Sequence, residues 1–428
     1  MPACGLHYPR PMPDPSPIHP PNLPADDPQI TPARRRALLL NLLAQLAFGL
    51  LAMTICLPSM QQWDRIFGVD QAAVQLTFSG YILTYGGLQL LYGPLSDRLG
   101  RRRILLFGLL LSLAGSVAAA MAPSLPWLVA ARVLQGAGAA AGMVVGRAMV
   151  QDLFTGAQRT RVMAYISMTL GLCPPLATLI GGQLHVLWGW QSNFWLMALL
   201  AAGLFGFTWR LLPTADAARA GDAAPPHWLR DMANAYLRLA REPGFAAHVG
   251  ILSMTTATFY AFLGGAPVVL RSLGVGPQGM GLYIMCVPMC YIAGSYLTSR
   301  LIQRQGERRM IRLGQAITLA GIALMLLLGL LGWHSALAFA LPLTLVGLGH
   351  GLLVPPTLAG TVGMVPALAG AAAAVVGVGQ QTMGALGGYL VGLVPHEGVV
   401  NLGWLMLGLA ACASLALARL PGSRAAAG

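Results

Sequence analysis

The chain has 428 residues, of which 56% are hydrophobic and only 9% charged, and its mean hydropathy is +0.67. These values exclude an ordinary soluble globular domain and point to a polytopic membrane protein. The net charge of +13 comes from arginine alone. The arginines lie at the ends of apolar runs rather than on one basic face, which excludes a nucleic-acid-binding surface.

Residues 1–33 are rich in proline and polar groups, contain no apolar run, and read as a cytoplasmic tail without a fold. Apolar runs then predict twelve spans, at about 37–58, 72–93, 103–122, 126–148, 162–185, 191–210, 245–268, 278–298, 310–331, 335–356, 367–392 and 399–418. The most hydrophilic stretch after the tail, near 212–244, divides them into two six-span halves, 34–211 and 245–420, with 421–428 as a second tail. Within that stretch Asp231 to Arg241 fit a short amphipathic surface helix. With the N-terminus inside, 23 arginines fall in inner segments, Arg65 and Arg271 fall outside, and Arg132 lies within span four. This bias places both termini in the cytoplasm.

The densest charge cluster, Gly93 to Arg103, separates spans two and three. It cannot sit in hydrocarbon and is expected to be a short aqueous loop, with Gly93 and Gly100 permitting a tight turn. It serves at least as a topology marker, and its sharper reading is a conformational latch. In the second half, Gly294 to Arg300 followed by Gly306-Glu-Arg-Arg309 echoes it with longer spacing and no aspartate.

Span four carries Arg132, with Gln135 one turn on, then Arg147 and Asp152. A charge inside a span is costly, so Arg132 is expected to face the bundle interior or a wet cavity, for structure or for function. Tyr81, Thr84 and Tyr85 share a face of span two, Ser253, Thr256 and Tyr260 a face of span seven, and Gln380 and Gln381 interrupt span eleven. Each is a candidate for lining a substrate cavity or for bonding between helices. His350 is the one mid-span histidine; it packs or it titrates. The six cysteines make no C-x-x-C pair, and Cys286 and Cys290 share a helix face as packing residues. We find no nucleotide loop, no metal-ligand cluster and no nucleophile arrangement, so neither a cofactor nor an enzymatic activity is expected.

The run Gly93, Leu95, Asp97, Arg98, Gly100, Arg101 and Arg102 resembles the signature between helices 2 and 3 of major facilitator superfamily transporters. Arg132 with Gln135 and Gly136 resembles the R-x-x-Q-G motif of drug exporters in that superfamily. Arg147 with Asp152, and Leu57-Pro58 in span one, are similar to the Bcr/CflA drug-resistance family. The resemblance implies a twelve-helix fold of two pseudo-symmetric six-helix halves, alternating access, a charge-relay latch at Asp97 and its arginines, and a role for Arg132 in proton transfer. It implies a small-molecule substrate, export of amphipathic drug-like compounds across an inner membrane, and a monomer in the bilayer. Uptake of a metabolite on the same fold, or a membrane receptor that no longer transports, are the rival readings.

Two positions depart from the family pattern. Thr54 stands where members commonly carry an acidic residue three places before Leu-Pro, and Thr178 stands at the proline place before Gly181-Gly182. Threonine cannot carry a proton, so transport weakly coupled or uncoupled to protons is expected. His350, Asp152 and Asp64 are the remaining candidate carriers.

Overall fold

Pro58 has no N–H to offer the Thr54 carbonyl, which weakens the first helix at that point. The computed structural model describes residues 32–153, 156–212, 244–364, 369–394 and 398–420, with a few positions between 234 and 242. In it α1 spans Pro32–Thr54, and the chain then turns through Leu57 N–H to Thr54 O at 3.1 Å and Ser59 N–H to Cys56 O at 2.9 Å. A short α2 follows at Met60–Phe67, closed by Gly68 in the left-handed region, and Asp70 caps α3 by accepting from Ala73 N–H at 2.7 Å. The helices after it are α3 (Gln71–Leu99), α4 (Arg101–Ala120), α5 (Leu125–Leu153), α6 (Gly156–Trp188) and α7 (Gln191–Leu211). The second set is α8 (Phe245–Ser272), α9 (Pro277–Gln305), α10 (Glu307–Leu330), α11 (Ala336–Gly363), α12 (Ala369–Leu393) and α13 (Val399–Ala418).

Each of the twelve expected spans is therefore a helix, with α2 as an additional element that hydropathy did not predict. Nine of the described helices are long and apolar enough to cross a membrane by length and composition. The two sets of six repeat one packing plan. α5 lies along α3 and α4 as α11 lies along α9 and α10, and α4 packs on α7 as α10 packs on α13. Close backbone approach is achieved with glycines at matching places: Gly108 against Gly138 between α4 and α5, and Gly314 against Gly349 between α10 and α11. Across the two sets, α3 packs on α12 and α6 on α9.

The expected aqueous loop at Gly93 to Arg103 is corrected. α3 runs through the cluster to Leu99 and α4 begins at Arg101, so the connection is Gly100 alone, at φ 95°. Backbone hydrogen bonding favours continuing the helix once the charged turn has left the apolar layer. Gly306 repeats the device between α9 and α10 at φ 75°. The first helix likewise begins before the expected span at 37, so that Arg34 and Arg36 lie inside α1. Of the proposed surface helix Asp231–Arg241 only fragments fall among the described residues.

Open space surrounds Gly306, so a side chain there meets backbone strain and no clash. Gly306→Val should cost about 1–3 kcal/mol and lower the melting temperature of the purified protein in detergent. An unchanged melting curve would show that the turn tolerates a β-branched residue.

Candidate functional site

Arg132 is fully enclosed in α5. Its guanidinium donates to the Ala52 carbonyl at 2.8 Å, to the Met53 carbonyl at 3.4 Å and to Gln135 Oε1, while Nε has no partner among the described residues. The two carbonyls are at the C-terminal end of α1, where the helix has run out of its own N–H donors and its dipole is negative. The cation also lies 4.3 Å from the centre of the Tyr81 ring and 5.9 Å from that of Phe194. Tyr81 is held in turn by donating to the Gly49 carbonyl at 2.7 Å.

Gln135 extends the network to α4. Its Nε2 donates to Ser116 Oγ at 2.8 Å, and Ser112 Oγ donates to the Gln135 carbonyl at 3.2 Å. Thus Arg132 and Gln135 share the interior face expected of them and tie α1, α3, α4 and α5 together. Ser112 and Ser116 were missed by the sequence reading, although two serines four apart in an apolar run are the signal that would have found them. Thr54 is buried beside this centre and donates to its own helix, to Leu50 O at 2.8 Å.

The expected cavity positions divide into two groups. Tyr81 and Tyr85 stack at 5.9 Å on the face of α3 toward α1, whereas Thr84 turns to α5 and donates to the Val133 carbonyl at 3.1 Å. Ser253, Thr256 and Tyr260 of α8 face α12. Gln380 Nε2 donates to Thr256 Oγ1 at 3.0 Å, Tyr260 OH donates to Gln381 Oε1 at 3.3 Å, and the buried Ser253 Oγ has no partner among the described residues. Tyr260 also meets Phe78 of α3 edge-on at 6.1 Å, so this polar strip reaches the interface between the two sets of helices. Arg147 is exposed on α5 and His350 is buried in α11.

At the α2 end, side chains join the two sets directly. Arg271, in the last turn of α8, pairs with Asp64 at 2.9 Å and also donates to the Gln61 carbonyl. Gln61 Nε2 donates to the Pro267 carbonyl at 2.9 Å. α2 is anchored beneath by Trp63, which stacks on Phe194 at 6.2 Å and meets Trp190 edge-on at 5.8 Å. Trp190 follows Gly189, whose φ of 81° gives the Trp188-Gly189-Trp190 turn its form.

At the opposite end, Arg101 donates to Ser96 Oγ at 2.6 Å and Ser96 Oγ to the Gly93 carbonyl at 2.8 Å. Arg102 donates to the Trp209 carbonyl at 2.7 Å and lies over the Trp209 ring at 5.2 Å. The Arg102 contacts bind the turn to α7, and those of Arg101 and Ser96 brace it internally. The side chains of Asp97, Arg98 and Asp152 lie outside the described residues. In the second set, His248 Nε2 is 3.4 Å from Glu307 Oε1. Among the described residues no group of three or more His, Cys, Asp or Glu could hold a metal ion.

Removing the Arg132 guanidinium leaves two carbonyls and Gln135 without their donor in a buried site. Arg132→Ala should cost roughly 2–3 kcal/mol of stability and abolish transport. Arg132→Lys should retain a little of both, because lysine keeps the charge and loses the planar fork. Thermal melts with vesicle flux check this, and full transport with alanine would assign Arg132 to packing alone.

The Major Facilitator Superfamily model matches residues 37–388. Multidrug resistance protein D of Escherichia coli is 31% identical over 86% of this chain and 92% of its own length. The bicyclomycin resistance protein homolog of Haemophilus influenzae is 28% identical over 81% of this chain and 88% of its own. A solved bacterial homolog of the human lysosomal transporter Spinster, inward-facing and occupied, superposes with a TM-score of 0.74 at 14% identity, covering 91% of this chain and 97% of that one. Helix count, repeated packing and sequence likeness agree: the chain belongs to the major facilitator superfamily of membrane transporters.

Proposed function

We propose that this chain exports small, amphipathic, drug-like compounds across an inner membrane by alternating access. The observation that carries the reading is the likeness to Multidrug resistance protein D along nearly the whole of both chains. The arrangement of contacts supports the mode of action. The two sets of helices are tied at the α2 end by Asp64, Gln61 and Arg271, so a rocking motion would have to release that end before it could open. Residues 34–211 and 245–420 are the two moving halves, 212–244 is their cytoplasmic connector, and 1–33 and 421–428 are cytoplasmic tails. The protein acts as a monomer. The substrate lies between the halves, near Tyr85 and the Tyr260, Gln381, Thr256 and Gln380 strip.

The signature turn is the latch of the opposite end. Gly93 and Gly100 shape it, Arg101 and Arg102 brace it on Ser96 and Trp209, and Asp97 and Arg98 belong to the same latch. Asp97→Asn should shift the access equilibrium and leave membrane insertion intact. Site-directed labelling of a cysteine at that end reports the shift; unchanged labelling with unchanged transport leaves the cluster as a topology marker.

Transport is weakly coupled to protons. Thr54 cannot titrate, Asp64 is engaged by Arg271, and His350 is buried within α11. Arg147 and Asp152, near the end of α5, complete the set of coupling residues in this reading. Substrate movement in reconstituted vesicles should change little when a pH gradient is imposed. Strong acceleration that persists in His350→Ala, Asp152→Asn and Asp64→Asn, each alone, would reveal another carrier. Loss of the acceleration in one variant would make that residue the carrier. Absence of any drug movement would return the chain to metabolite uptake or to a non-transporting role.

A further inference from the structure

One face of α3 carries Gln71, Gln75 and Ser79 at four-residue spacing, so the three side chains project along the same side of the helix. That side meets the second set of helices. Gln75 Nε2 donates to the Gly264 carbonyl of α8 at 2.8 Å, and α12 lies along the rest. The three residues are only 7%, 0% and 7% exposed. Even so, Gln71 Nε2 and Oε1, Gln75 Oε1 and Ser79 Oγ have no hydrogen-bond partner among the described residues. What faces Gln75 and Ser79 is glycine backbone. A Cβ at Gly388 would lie 3.4 Å from Ser79 Oγ, one at Gly392 would lie 3.2 Å from the Gln75 side chain, and one at Gly264 would lie 3.0 Å from Gln75 Oε1.

A seam between two membrane-embedded halves would hold better with apolar side chains, since a buried amide without a partner loses the hydrogen bonds it makes in water. The amides make sense if this face is wet in another state of the molecule. We propose that the Gln71, Gln75 and Ser79 face of α3 is a wall of the solute path in the opposite access state, sealed here against the glycine face of α12; this rests on the alternating-access reading above. The wall offers amides and a hydroxyl and no ionised group, so it suits solutes that pass by neutral hydrogen bonds. Its unpaired atoms also weaken the seal and so favour opening at the α2 end.

The test is Ser79→Cys in reconstituted vesicles, treated on one side at a time with a membrane-impermeant charged maleimide. Peptide mass spectrometry separates position 79 from the native cysteines, and Ile66→Cys on the exposed part of α2 serves as the accessible control. Position 79 should label from the α2 side only. Adding Gln71→Leu and Gln75→Leu should slow that labelling about tenfold or more without lowering the melting temperature, whereas Gln75→Asn, which keeps an amide, should leave it near the parent rate. If position 79 stays unlabelled from both sides while position 66 labels, the face is permanent helix packing and the proposal falls. Labelling that the leucines do not slow overturns the weakened seal. Labelling from the α2 side in vesicles that move no drug-like compound would sink the export reading and leave the wall standing.

Discussion

A guanidinium enclosed in a membrane-spanning bundle must find fixed oxygens, because no water is there to supply them. Much of the first six helices is arranged around that requirement at Arg132. α1 stops at Thr54 and turns at Pro58, which leaves the Ala52 and Met53 carbonyls turned toward the cation. Tyr81 brings α3 against its face, and Gln135 passes the bonding on to Ser116 of α4. Each contact is ordinary in strength. Together they make one side chain the meeting point of four helices, so any motion of α1 relative to α5 has to rearrange it.

The second set of helices follows the same plan without a buried arginine among the described residues. Its α10 carries Gln315, which donates to the Ala410 carbonyl at 2.8 Å and to Ser414 Oγ at 2.9 Å and so joins α13 by neutral bonds. The glycine pairs Gly108 with Gly138 and Gly314 with Gly349 keep the backbones close in both sets. The architecture is thus repeated while the electrostatics are not. The first set holds a buried cation, and the second holds the polar strip of Tyr260, Thr256, Gln380 and Gln381.

The join between the halves is graded along its length. At the α2 end there is an ion pair, Asp64 with Arg271, whose side chains remain partly exposed and which is therefore screened and readily exchanged for water. Below it the seam combines the Phe78–Tyr260 ring contact with glycine backbone and unpaired polar groups, and Gln75 makes one hydrogen bond to α8. Thr54, which bonds to its own helix, contributes nothing to it and leaves the Arg132 centre without a neighbouring acid at that position.

The sequence by itself determined the twelve spans, because each is a long apolar run bounded by arginine, glycine or proline, and hydrocarbon admits such a run only as a helix. It also determined that Arg132 and Gln135 face inward together, since a three-residue step on a helix allows little else. It could not show α2. Eight residues mixing Trp63, Ile66 and Phe67 with Asp64 and Arg65 are too few and too polar to register as an apolar run, and their burial depends on Trp190 and Phe194 more than a hundred residues away. Nor could it show that Thr84 turns from Tyr81 and Tyr85 toward α5, or that Asp64 meets Arg271 from 207 residues along the chain. The tertiary structure decided these, because hydropathy records whether a residue prefers water, whereas a partner is chosen by how the helices cross.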